Sequence, residues 1–410
     1  MKISPFTAWR AAPGLESRVA SPPYDVLDAA QARALAGDDP ACFLRVTRPD
    51  LEFPDGTPPD APECYARAAE RWAGMCRSGI LRRDPDPSLY LYRLERQGRA
   101  QTGLAALCAC AEYDAGIIKR HEHTRPRPEA DRMRHIQSTG AQTGPVFLAY
   151  RDQPLIAGRI RSALRAPPDC DFTAADGVRH ALWRLDQPGE WARAFENVPV
   201  AYIADGHHRA SAACRISREH PETGPGFLAV LFPASELTIM AYHRLVRDLA
   251  GRTPGEFLEA ARSAGFRVGP ASNPEPEGPG QAGMFLDGRW WRLEWDWPPG
   301  KDPVARLDAS VLQDRMLGPL LGIEDPRASE RIAFVGGVQG APELERRVRS
   351  GSAALAFTLH PVRMEDLMSV SDAGAVMPPK STWFEPKLRD GLVVHSIRGA
   401  EPAPARVPRP

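Results

Sequence analysis

Apolar positions along the chain change their period several times, and each change marks an element. From about residue 60 to 82, PECYARAAERWAGMCRSGIL repeats its apolar residues at helical spacing and stops at Gly79. SLYLYRLERQGRA and QTGLAALCACAEY then read as two strands joined at Gln97-Gly98. GPVFLAYRD (144–152), HALWRLD (180–186), VPVAYIAD (198–205) and GFLAVLFPA (226–234) read as further strands, several of them buried. RASAACRISREH (209–220), the amphipathic TPGEFLEAARSAGF and DASVLQDRMLGPLLGI predict helices. MFLDGRWWRLEWDW predicts a second hairpin turning at Asp287-Gly288. The chain opens, up to about residue 30, as extended structure with a turn at Pro22-Pro23.

Strands and helices mix without regular βαβ alternation, so the expected class is α+β, with mixed sheets and packed helices. The Pro- and Gly-rich stretch 268–282 reads as a linker or surface loop. The expected division is therefore a main α+β domain over 1–265, a C-terminal α+β region over 266–400, and a disordered tail, EPAPARVPRP, over 401–410.

Composition narrows the function classes. The 410 residues are 43% hydrophobic and 25% charged, and 52 basic residues balance 52 acidic ones. A net charge of zero gives no global field to hold nucleic acid or an anionic membrane, so neither is an expected partner. No apolar run approaches the ~20 residues of a membrane span. MKISPFTAWRAAPG lacks a signal-peptide core, so the expected location is the cytoplasm. The seven cysteines are scattered with no Cys-x-x-Cys pair and read as buried thiols. Only five basic residues are lysines, Lys2, Lys119, Lys301, Lys380 and Lys387. Three of these fall in the motifs below.

Asp205-Gly206-His207-His208-Arg209 follows an apolar strand and opens a helix. A strand, a glycine turn and a helix N-terminus together present unpaired N–H groups and the positive end of the helix dipole to an anion. Arg209 adds a bidentate fork, and the histidines add hydrogen bonds and proton-shuttling capacity. Asp205 is costly beside a phosphate unless it binds a metal ion or acts as a base. A second cluster, Lys119-Arg120-His121-Glu122-His123-Thr124 with Asp131-Arg132, packs cation, imidazole and carboxylate too closely for a core. His121-x-His123 suits a strand-borne metal site but lacks a third ligand. Met377 to Lys387, with Lys380-Ser381-Thr382, lacks the glycine frame of a P-loop, yet two lysines and two hydroxyls could hold phosphate. Ser21 to Leu27 is a Pro-stiffened turn that places Tyr24 and Asp25.

In order and spacing these four segments resemble the bacterial and archaeal domain-of-unknown-function family 1015. Its pattern of PPYDV, RHE-x-T with a downstream DR, ADGHHR and MP-x-KSTYF-x-PK stands here as Pro22–Val26, Arg120–Thr124 with Asp131-Arg132, Ala204–Arg209 and Met377–Lys387. Trp383 replaces the usual tyrosine, and Ala210 stands where an aromatic commonly follows the arginine. The DGHHR turn is in turn similar to the phosphate-binding turn of the ParB/sulfiredoxin-like superfamily, which includes nucleotide-dependent kinases of free serine.

The resemblance implies a ParB/sulfiredoxin-like phosphate-binding core with an added C-terminal α+β region. It also implies a phosphotransferase acting on the hydroxyl of a small amino acid, serine first, with ATP, ADP or pyrophosphate as donor and Mg²⁺ as cofactor. Gly206, His207 and Arg209 would then face the donor phosphates, with Lys380, Ser381, Thr382 and Lys387 closing over them. Asp205, Glu122 and His208 carry the chemistry, Asp205 or Glu122 as base and Asp205 as a Mg²⁺ ligand. Tyr24, Asp25, Arg120, His121, Thr124 and Arg132 face the substrate. A homodimer is compatible with this reading. The alternatives are a nucleotide-binding regulatory module of the ParB kind and a phosphatase for O-phosphoserine-type substrates.

Overall fold

Strand pairing, rather than the stretch at 268–282, sets the division of the chain. In this computed structural model, which describes residues 1–300 and 302–398, Met1–Leu237 and the described residues 386–398 form one unit, and the described residues of Thr238–Glu385 form a second. The boundary expected at 265/266 falls inside the second unit. Its Tyr242–Val246 strand pairs with Ile332–Gly336 and Leu355–Leu359, which ties residues 238–265 to partners far downstream. The tail expected at 401–410 lies outside the described residues.

The first unit is built on a nine-stranded sheet. Its order runs Ile118–Lys119, Ala201–Asp205, Val146–Tyr150, Gly226–Pro233, Arg99–Ala109, Tyr90–Arg96, Arg179–Arg184, Cys170–Thr173, with Ile3–Ser4 added beside Arg99–Ala109. Ala201–Asp205 is parallel to Ile118–Lys119 and antiparallel to Val146–Tyr150, so the sheet is mixed. Gly226–Pro233 and Val146–Tyr150 are buried at every position. That explains their continuous apolar runs, since strands covered on both faces lose the alternation. The Gln97-Gly98 turn has φ of 50° and 76°, the positive pair that a two-residue hairpin turn requires.

Helices Pro62–Arg77, Pro126–Thr139 and His207–Glu219 belong to this unit. The periodicity of Pro126–Thr139 is hidden in sequence because three of its inward positions are polar, Arg132, His135 and Thr139, alongside Met133 and Ile136. Its ends are nevertheless marked by Pro126 in the first turn and by Gly140, left-handed at φ 66°, whose N–H returns to the Ile136 carbonyl.

The last described segment returns to this unit by pairing. Val394–Ser396 lies between Ala8–Ala11 and Ala141–Gln142 in a four-stranded sheet. An isolated bridge joins Ser21 to Asp390.

The second unit holds a six-stranded antiparallel sheet in the order Arg267–Pro270, Arg289–Glu294, Gln281–Leu286, Leu355–Leu359, Tyr242–Val246, Ile332–Gly336. The Asp287-Gly288 hairpin is present, with φ of 53° and 74°. The expected linker begins as the edge strand Arg267–Pro270. Helix Pro254–Ser263 starts at a capping box between Thr253 and Glu256. The class is α+β, with mixed and antiparallel sheets. No helix among the described residues is long and apolar enough to cross a membrane.

Candidate functional site

The Ala201–Asp205 strand slips register against Val146–Tyr150 between Ile203 and Asp205. Such a bulge re-aims the side chain that follows it, and that side chain is Asp205. Gly206 then adopts φ 94° and caps helix His207–Glu219, with no side chain satisfying the first N–H groups. The first turn of this helix therefore points open donors and its positive dipole end at the space beside Asp205. A Cβ on Gly206 would lie 3.0 Å from Arg209 Nε, so glycine is required by backbone angle and by crowding.

Arg209 is held from three sides. Its Nη1 donates to the Pro145 carbonyl at 2.8 Å, its Nη2 donates to Asp205 Oδ2 at 3.2 Å, and Asp390 Oδ1 lies 3.9 Å from Nη1. Lys387 Nζ stands 3.6 Å from the same Asp205 Oδ2. The segment that carries Lys387 and Asp390 is pinned along its length. Gln101 Nε2 donates to the Pro386 carbonyl at 3.0 Å, Tyr92 receives the Arg389 N–H, and Ser21 exchanges two backbone bonds with Asp390.

The two carboxylates at this site are driven in opposite directions. Burial alone would lift Asp205, but Lys387, then Arg209 and His207, hold it well below the usual carboxylate range. Asp390 is 2% exposed, and burial pushes it up to about 7 despite Arg209. Its Oδ1 has no hydrogen-bond partner. A side chain at Gly144 would collide with that oxygen, 2.0 Å from the Cβ position, so Gly144 keeps the space beside it open.

Asp390 lines a cleft with Tyr24, Arg132, Thr143, Gly144 and Arg209. The Arg132 guanidinium stacks 3.8 Å from the Tyr24 ring centre and donates twice to Asp131, whose other oxygen takes the Tyr65 hydroxyl. Burial raises the Tyr24 phenol to about 12, against the pull of Arg132. Tyr24 therefore stays protonated and can donate.

Two histidines are electrostatic neighbours of Asp205. His121 and His207 meet edge to face at 4.6 Å, both nearly fully buried. Burial lowers His121 to about 4 and holds His207 well below the usual imidazole range, so both are neutral at pH 7. His121 Nδ1 and His207 Nε2 have no partner among the described residues. Buried orphans of this kind call for a ligand or water. His208 Nε2 accepts the Arg125 N–H at 3.1 Å, and Glu122, half-exposed, reaches within 4.0 Å of His207 Nδ1.

The expected residues therefore fall into three groups. Tyr24, Arg132, Asp205, Gly206, His207, Arg209 and Lys387 converge, with His121, His208 and Glu122 at the edge. Arg120 folds onto Tyr113, 5.1 Å from its ring centre, and acts electrostatically on His207; Asp25, though exposed, acts on Arg209, His208 and Asp390, and Thr124 is half-buried. Lys380, Ser381 and Thr382 belong to the second unit, where Ser381 Oγ donates to the Pro378 carbonyl at 2.7 Å and Lys380 Nζ lies 5.5 Å from the Tyr242 ring centre. Asp390 and Gly144 were not anticipated. The available signal was Asp390 itself, a charge three residues after Lys387 and directly before the apolar GLVV. No group of three or more His, Cys, Asp or Glu able to hold a metal ion occurs among the described residues.

The family described as "protein of unknown function (DUF1015)" matches residues 3–310. Among curated proteins, none matches the chain. Solved structures give distant similarities. A conserved hypothetical protein from Pyrococcus furiosus is 14% identical, with a TM-score of 0.35, over 70% of this chain and 93% of that one. A free serine kinase in complex with AMP is 12% identical, with a TM-score of 0.37, over 68% and 86%. SbnI from Staphylococcus aureus, truncated at its C-terminus, is 10% identical, with a TM-score of 0.37, over 70% and 85%.

Proposed function

The chain belongs to the DUF1015 family, and from that premise we propose that its first unit is a phosphotransferase that moves a phosphoryl group from a nucleotide or pyrophosphate donor to the hydroxyl of a small amino acid, serine first. The observation that carries this reading is the meeting of Lys387 and Arg209 on Asp205 at the open N-terminus of the His207–Glu219 helix. Phosphoryl transfer asks for positioning and charge neutralisation around a phosphate more than for covalent chemistry. Two cations and a helix terminus supply both. Tyr24, Arg132 and Asp390, whose Oδ1 accepts no hydrogen bond among the described residues, line a small cleft with polar groups of both signs, the kind that would meet the ammonium, carboxylate and hydroxyl of an amino acid.

Each group has a role that follows from its charge state. Lys387 and Arg209 meet the phosphates, with the N–H groups of the helix's first turn. His207 and His121, being neutral, offer hydrogen bonds without adding repulsion or charge. Asp205 stays ionised and holds the two cations in place. Its proton affinity is too low for it to be an effective base.

Asp390, pushed up to about 7, is matched to accept a proton near neutrality. Two carboxylates driven apart by their surroundings mark such a division of labour. In the proposed step the substrate hydroxyl oxygen forms the new bond to the terminal phosphorus as the bond to the donor's bridging oxygen breaks. The hydroxyl proton passes to Asp390, and the negative charge left on the donor is met by Lys387 and Arg209. Mg²⁺ takes most of its ligands from phosphate and water, so one or two carboxylates suffice. Asp205 and Glu122 are the residues that would hold it, and its chemistry would be to neutralise the donor phosphates.

The test is direct. The purified chain is incubated with serine, Mg²⁺ and, separately, ATP, ADP or pyrophosphate, and the products are read by phosphorus NMR. O-phosphoserine from one donor supports the proposal. No phosphorylated amino acid from any donor, across a panel of hydroxy amino acids, removes it. Phosphate released from O-phosphoserine without a donor would replace it with a phosphatase.

A further inference from the structure

Among the described residues three arginines are more than nine-tenths buried: Arg132, Arg389 and Arg244. Arg132 is paired with Asp131 and Arg389 with Asp176. Arg244, in the second unit and only 3% exposed, has no carboxylate within ion-pair distance among the described residues. Its guanidinium donates to two main-chain carbonyls, those of Tyr242 and Pro379, and lies 5.3 Å from the Phe334 ring centre. Five N–H groups with two known acceptors leave donors to spare. A buried charge without a counter-ion is costly, and folded proteins pair such charges or bind something that does.

Arg244 also lines a pocket. The walls include Trp297, Arg306, Asp308, His360 and Ser381. Neither acid near it neutralises the guanidinium. Asp308 Oδ1 is occupied by the Gly280 N–H at 2.9 Å, and burial pushes its carboxyl up to about 7. Asp366 is engaged three times by Arg363, twice by its guanidinium and once by its backbone N–H. Arg306, exposed at the rim, adds a second positive charge.

We propose that this pocket is an oxyanion site of the second unit, in which Arg244 and Arg306 grip a small phosphate or carboxylate anion. The fork geometry of guanidinium suits either class. The site is separate from the cluster at Asp205 and does not depend on the phosphotransferase reading.

The experiment is hydrogen-exchange mass spectrometry on the full chain, titrated at constant ionic strength with inorganic phosphate in one arm and acetate in the other. Exchange should slow in the segments 306–309 and 359–362. Protection by phosphate alone assigns a phosphate ligand, and protection by acetate as well assigns the broader oxyanion class. Arg244→Gln should move the titration midpoint about tenfold or more, the scale of a charge-assisted bond. Because that buried change could unfold the unit, Arg306→Ala at the exposed rim is the second variant, and it should move the midpoint several-fold. Arg209→Gln in the first unit should leave it in place. The inference is overturned if neither anion slows those segments, if Arg306→Ala leaves the midpoint unchanged, or if Arg209→Gln abolishes the response.

Discussion

Asp390 shows how one side chain can be costly to the fold and useful to the chemistry. Its folded proton affinity is raised, so its favourable contribution is complete below the unfolded carboxylate range near 4 and is lost as pH rises through about 7. Asp205 has the opposite sign. Its affinity is depressed, so its contribution is present above pH ~4 and lost as pH falls below that. Two expectations separate a working Asp390 from a merely structural one. Transfer activity should rise between pH 6 and 8 in the native chain, and Asp390→Asn should remove that rise and lower kcat by on the order of a hundredfold. The same variant should melt at least as high as the native chain at pH 8, since it deletes a buried charge. A lower melting temperature with unchanged pH dependence would make Asp390 structural. Sequence could not single this residue out. Its state is set by burial and by Arg209, Asp25, Arg132 and the Tyr24 backbone, which come from elsewhere in the chain, whereas the glycine turn that carries Asp205 and Arg209 is local.

At the level of elements, the strand–glycine–helix unit at 198–220 was legible because each part has a local cause: an apolar run, a residue that tolerates φ 94°, and a helical pattern after it. The bulge at Ile203–Asp205 was not, because register is a property of two strands. The Pro126–Thr139 helix was hidden by its own inward Arg132, His135 and Thr139, the first bound to the site. Glycines provide the cleanest test here. Gly206→Ala should cost about 1–2 kcal/mol in stability, as a left-handed non-glycine residue does. It should also depress transfer at least tenfold by shifting Arg209. Gly98 has a similar φ of 76° with nothing within 4 Å of its Cβ position. Gly98→Ala should lose comparable stability, read by chemical denaturation, and keep full activity. Equal activity loss in both would mean that the Gly206 turn acts only through global stability.

Across the whole molecule, composition spoke to exclusions and motifs to the site. A zero net charge predicts that duplex DNA is bound, if at all, with no affinity that falls steeply with salt, which fluorescence anisotropy at two salt concentrations would check. The two-unit division escaped sequence reading because Met377–Lys387 looks like one motif, yet the chain passes from one unit to the other at 385/386. Lys387 thereby joins Asp205, while Lys380 and Ser381 lie with Tyr242 and Pro378. In the proposed reaction Asp205 organises Lys387 and Arg209 around a transferring phosphate. Single-turnover formation of the phosphorylated amino acid, with native chain and Asp205→Asn compared under saturating donor, tests it most directly. The variant should lose about a hundredfold or more in rate with its fold intact by circular dichroism. A rate within threefold of the native chain would contradict it.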